Sequence, residues 1–204
     1  DVGRTSADIE DRIADIKANL PRGYSLDLDG EVSVMRSSFA NLGLGLGLAL
    51  LFASLIVVPL FRSFKQPIVM LLAFPPALAG VVGLLYFTGT PLSIQALMGA
   101  IMVVGITVSY GNLLVDRINK LRAEGMPLEE ALTQGAKQRL RPIIMTALTT
   151  VLGLLPTALG FGGSSINEPL ALAVIGGTAM AALLTLYVVP AGYRLFSKSE
   201  SELR

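Results

Sequence analysis

Five long apolar blocks, each without a central charge, constrain this chain more than any other feature. Charges gather at 1–36, 62–65, 116–141 and from 194 onward, and the stretches between them are long enough to cross a bilayer. A hydrocarbon core of ~30 Å takes ~20 apolar residues in a helix. The blocks predict spans at Phe39–Phe61, Pro67–Phe87, Leu92–Asp116, Pro142–Leu159 and Pro169–Tyr193. Charged residues make up 15 % of the 204, against ~25 % in soluble domains. The reading is an all-α membrane protein with five transmembrane helices in a lipid bilayer.

The N-terminal 38 residues read differently. Ile9, Ile13, Ile16 and Leu20 recur at three- and four-residue spacing among acids and bases, which predicts an amphipathic helix over 4–20 capped by Thr5 or Ser6. Pro21-Arg22-Gly23 ends it. Tyr24, Leu26 and Leu28 alternate with polar residues, a strand pattern ending at Gly30. One helix and one strand bury too little to stand alone, so 1–38 reads as a short soluble α/β remnant docked on something else. Spans occupy 39–196, and 197–204 form a tail. No initiator Met or signal-peptide core opens the chain, so it reads as part of something longer.

Within the spans, Gly43 and Gly47 form a GxxxG pair that admits a close neighbour; a glycine-rich span without a specific partner is the plainer alternative. Pro75-Pro76 predicts a kink or a broken turn in the second span. Between spans three and four, Pro127–Arg139 reads as a surface helix, with Pro127 at its start, Glu129 and Glu130 in its first turn, and Lys137 and Arg139 at its end.

Lys and Arg lie in the 62–65 loop, the 116–141 loop and the tail, and none lies in the opposite loops at 88–93 and 160–168. The positive-inside rule therefore makes the basic segments, the 127–139 helix and the C-terminus cytoplasmic. An odd span count then places residues 1–38 outside, in the periplasm of a Gram-negative cell. Several classes drop out. The net charge is +1 and no basic patch is interleaved with aromatics, so nothing points to nucleic acid. Cys and His are both absent, which removes thiol chemistry and the commonest metal ligand. The 7 methionines are scattered and suggest no metal relay; no metal site, cofactor or catalytic residue is expected. Gly162-Gly163 follows no strand and reads as a turn.

Specific segments carry a family resemblance. Residues 20–36 (LPRGYSLDLDGEVSVMR) resemble the end of a periplasmic porter domain in resistance-nodulation-division (RND) transporters. LFRSFKQP and FPPALAGVVGLLYFTGTPLSIQALMGAIMVVGITVS are similar to that family's eighth to tenth spans. RLRPIIMTALTTVLGLLPTALG and EPLALAVIGGTAMAALLTLYVVP are similar to the stretch that finishes its membrane domain. The resemblance implies a second-repeat fragment of a twelve-span, proton-driven exporter of drugs, lipids or metal ions across the inner membrane. It also implies a missing N-terminal half, a homotrimer, a periplasmic adaptor and an outer-membrane channel. Two alternatives are a truncated or split RND-like partner without transport of its own, and a protein-export subunit of the same superfamily.

Proton coupling needs an ionisable group within the membrane. The family's aspartate pair lies on its fourth span, outside this chain, and no acid falls within the five apolar cores; Asp116 and Glu168 sit at span ends. The resemblance assigns two responders. Arg139 is the positive partner and Thr146 a hydroxyl partner, seven residues apart and on one helical face. Arg139 can also be a positive-inside anchor, and the Thr146 hydroxyl can bond its own helix. Where the drug-exporting branch carries a Lys, this chain has Ser109, beside Tyr110. A neutral hydroxyl cannot stand in for an ammonium. Either Arg139 carries the positive charge alone or the chain belongs to a divergent branch.

Overall fold

The computed structural model describes residues 31–61, 65–161 and 165–201, with side chains over 37–59, 68–161 and 166–195. The helix proposed over 4–20, the strand ending at Gly30 and the Gly162-Gly163 turn lie outside the described residues. The chain divides into two units, residues 1–41 and 42–204.

The described elements are helices: α1 (Glu31–Phe61), α2 (Lys65–Leu71), α3 (Phe74–Thr88), α4 (Ile94–Ala123), α5 (Leu128–Ala158), a 3-10 turn (Ser165–Asn167) and α6 (Glu168–Ser201). Five stretches are long and apolar enough to span a membrane: Ser37–Pro59, Ile68–Thr88, Ile94–Ala123, Leu128–Ala158 and Glu168–Leu195. These are the five expected spans with shifted ends. The described residues form an all-α membrane domain, with no strand among them.

Each boundary has a local cause. Pro75 and Pro76 cannot donate to the carbonyls four residues back, so the second span breaks at Leu72-Ala73 and restarts with proline in its first turn. Ser93 caps α4, its hydroxyl accepting from the Ala96 amide at 3.3 Å. Three helices end alike. Gly89, Gly125 and Gly160 adopt positive φ, and the next amide reaches back to Leu85, Leu121 and Pro156 respectively. That left-handed cap suits glycine because no Cβ opposes it.

The sequence reading separates a 127–139 surface helix from the fourth span. The structure joins them: α5 runs unbroken from Leu128 to Ala158 with Pro142 inside it. Pro127 and the two acids do begin the helix, but Lys137 and Arg139 fall mid-helix rather than at an end. The segment does not lie flat, because Ala131, Leu132 and Gly135 are buried against the extended end of α4. A Cβ on Gly135 would meet the Ile118 side chain at 2.8 Å. Likewise α4 continues seven residues past Asp116, so that carboxylate sits on a helix face and not at a helix end.

Helix α6 is the hub, packing on α3, α4 and α5 more extensively than those three pack on one another. The backbones of α3 and α6 touch: a Cβ on Gly80 would overlap the Gly176 carbonyl, and one on Gly176 the Gly80 carbonyl. On α4, a Cβ at Gly99 would sit 2.8 Å from both the Ala173 Cβ and the Leu170 carbonyl oxygen. Small residues therefore set the closest crossings, as expected where helices associate by packing alone. Helix α1 differs. Leu44, Leu48, Leu51, Phe52, Leu55 and Ile56 are exposed, and a Cβ at Gly43 or Gly47 meets nothing within 4 Å.

Candidate proton-relay face

Helices α4 and α5 run antiparallel, and their register is fixed by Asp116 opposite Arg139, Arg117 opposite Gln138, and Ile118 against Gly135. Toward the opposite end, the Tyr110 hydroxyl faces the Thr146 side chain. The register therefore presents two of the sequence candidates, Arg139 and Thr146, along one seam. Arg139 lies 27 % exposed, its Nη2 3.9 Å from Asp116 Oδ2. Thr146 sits about two turns further along α5, and its hydroxyl donates to Pro142 O (2.7 Å) or Ile143 O (3.1 Å). That local bond is the plainer alternative, and it leaves the lone pairs of the Thr146 hydroxyl open to a neighbour. Ser109 is exposed on α4. The structure thus pairs Thr146 with Tyr110 and Arg139 with Asp116, and brings Ser109 to neither.

Two groups escaped the sequence reading. Asp116 also accepts from Lys120 Nζ at 2.8 Å. Asn112, one turn before Asp116, has a buried Oδ1 without a hydrogen-bond partner among the described residues, and the buried Arg139 Nε is likewise unpaired. The signal was the 109, 112, 116 spacing, which puts all three on one helical face. Beyond the seam, Thr178 and Thr185 of α6 are fully buried with unpaired hydroxyls, and Tyr193 OH donates to Asn119 Oδ1 at 2.8 Å. Arg194 Nε to Glu129 Oε1, 2.8 Å, ties α6 to the start of α5. An exposed pair of that kind contributes ~0–1 kcal/mol, so it aligns the ends more than it stabilises them. No group of three or more His, Cys, Asp or Glu able to hold a metal occurs among the described residues.

Five helices able to span a bilayer, packed around a hub helix at close glycine contacts, define a polytopic membrane domain. Residues 1–197 match the AcrB/AcrD/AcrF family, and the chain belongs to it, as membrane part of an RND-superfamily transporter. It is 37 % identical over 199 residues to the swarming motility protein SwrC of Bacillus subtilis, covering 97 % of this chain and 19 % of SwrC. It is 34 % identical to the cobalt-zinc-cadmium resistance protein CzcA of Cupriavidus metallidurans, covering 91 % and 18 %. It is 38 % identical over 141 residues to the multidrug resistance protein MdtC of Erwinia tasmaniensis, covering 68 % and 14 %. A crystal structure of a heavy metal efflux pump superposes with a TM-score of 0.78 at 30 % identity, covering 95 % of this chain and 20 % of that one. The chain therefore spans about a fifth of the length of these relatives.

Proposed function

We propose that this chain is the last membrane segment of a proton-driven exporter of small molecules or ions in the bacterial inner membrane. Arg139 answers an acid carried by the missing N-terminal half. The supporting observation is Arg139 itself, a partly buried side chain whose nearest carboxylate among the described residues stands 3.9 Å away and whose Nε lacks an acceptor. A cation held so incompletely within a membrane bundle calls for a further anion. Tyr110 and Thr146 supply hydroxyls on the same seam, and Ser109 adds a neutral group where an ammonium would otherwise stand. In this reading the N-terminal segment is periplasmic and the tail cytoplasmic. Gly43 and Gly47 on the uncovered face of α1 then pack against the remainder of the assembly, a homotrimer served by an adaptor and an outer-membrane channel.

The test is Arg139→Ala in the protein made from its complete reading frame. Efflux should be lost at unchanged protein level; wild-type efflux would make Arg139 an anchor only. A second reading has its own observation: no acid lies within the apolar core of any described span, which suits a partner that does not transport. A complete reading frame without an intramembrane acid upstream would favour that reading.

A further inference from the structure

We infer that Asp116 is a positioning residue for Arg139, holding the guanidinium at the cytoplasmic end of the α4–α5 seam, with Asn112 offering a second acceptor one turn further into the membrane. The inference rests on the reading of Arg139 as the positive partner of the relay. Three observations carry it. Asp116 Oδ2 faces both Arg139 Nη2, at 3.9 Å, and Lys120 Nζ, at 2.8 Å. Arg139 Nε is buried and has no acceptor; Asn112 Oδ1 is buried and has no donor. An orphan donor and an orphan acceptor on two packed helices are chemically complementary.

The plainer view makes Asp116 half of an i,i+4 surface pair with Lys120. Burial argues against that as its whole role. The Lys120 side chain is 61 % exposed and water serves it, whereas Arg139 is 27 % exposed with Nε cut off from water. Arg139 depends on the carboxylate more than Lys120 does. At 3.9 Å the contact is Coulombic and not a hydrogen bond, so it orients the guanidinium without locking it. Asn112 lies four residues from Asp116 on the same face, ~6 Å along the axis, within the sweep of an arginine side chain. Asp116 sets where Arg139 rests, and Asn112 receives it when it moves inward.

The test measures export of two probes, Zn2+ and ethidium, from cells expressing the complete protein, with protein level and thermal stability recorded for each variant. Arg139→Ala should abolish export. Asp116→Asn should lower the maximal rate ~10–100-fold, the scale on which a misplaced group acts, with an unchanged half-saturating concentration and unchanged stability. Asp116→Glu should restore the rate, and Lys120→Ala should be neutral. A wild-type maximal rate in Asp116→Asn beside an inactive Arg139→Ala overturns this inference alone. So does a Lys120→Ala that copies Asp116→Asn, or an Asp116→Asn that fails to accumulate, since the carboxylate is then structural. An active Arg139→Ala, or a wild type that exports neither probe, overturns the reading beneath it.

Discussion

Replacing Gly99 by alanine should weaken the bundle, whereas the same change at Gly105, six residues along the same helix, should not. A Cβ at Gly99 meets the Ala173 Cβ and the Leu170 carbonyl oxygen, both at 2.8 Å. Ordinary contact begins near 3.4 Å, so α4 and α6 must part by roughly 0.6 Å, the difference 3.4 − 2.8, and one obstacle is backbone that cannot rotate away. Overpacking of this kind costs ~1–3 kcal/mol, and removing a helix-interior glycine returns ~0.5–1 kcal/mol. The net effect is destabilisation of ~0–2.5 kcal/mol. At Gly105 a Cβ meets nothing within 4 Å, so only the favourable contribution remains and the variant should be neutral or up to ~1 kcal/mol more stable. Equilibrium unfolding in mixed detergent micelles, followed by circular dichroism, compares the two. Equal stability of Gly99→Ala and Gly105→Ala would refute the claim that the α4–α6 crossing is set by direct contact at Gly99.

Two further outcomes check the architecture. Replacing Pro75 and Pro76 together by alanine restores the missing amides, so α2 and α3 should fuse; spin labels at Ile68 and Tyr86 should then separate toward the ~27 Å of a straight helix of that length, and an unchanged distance would show that packing, not proline, makes the break. Single cysteines at Gly125 and Phe161, introduced into a sequence that has none, should react differently with a membrane-impermeant maleimide on intact cells. Phe161 should label and Gly125 should not; the reverse pattern would invert the orientation.

The spans were readable because lipid admits few alternatives to a ~20-residue apolar helix, and the Pro75-Pro76 break was readable because two adjacent residues lack the required donor. The fate of 127–139 was not. Its charges resemble those of a solvated surface helix, yet Ala131, Leu132 and Gly135 form a narrow strip that fits α4, and α5 continues through Pro142. Close packing misled in the same way. Gly43 and Gly47 advertise a motif within one helix, whereas the tightest crossing joins Gly80 to Gly176, single glycines 96 positions apart (176 − 80) that no local pattern links. At the relay face, Arg139 and Thr146 were legible by resemblance. Asp116 was passed over because α4 was expected to stop there.

The hub position of α6 bears on biogenesis. A ribosome delivers α3, α4 and α5 before α6, yet Gly80 of α3 and Gly99 of α4 find their mates on α6. Until then α3, α4 and α5 sit in the bilayer without that shared contact, and this bundle closes when α6 inserts. A stop codon or stalled chain just before Glu168 would leave four inserted spans, with α3, α4 and α5 among them lacking their common neighbour.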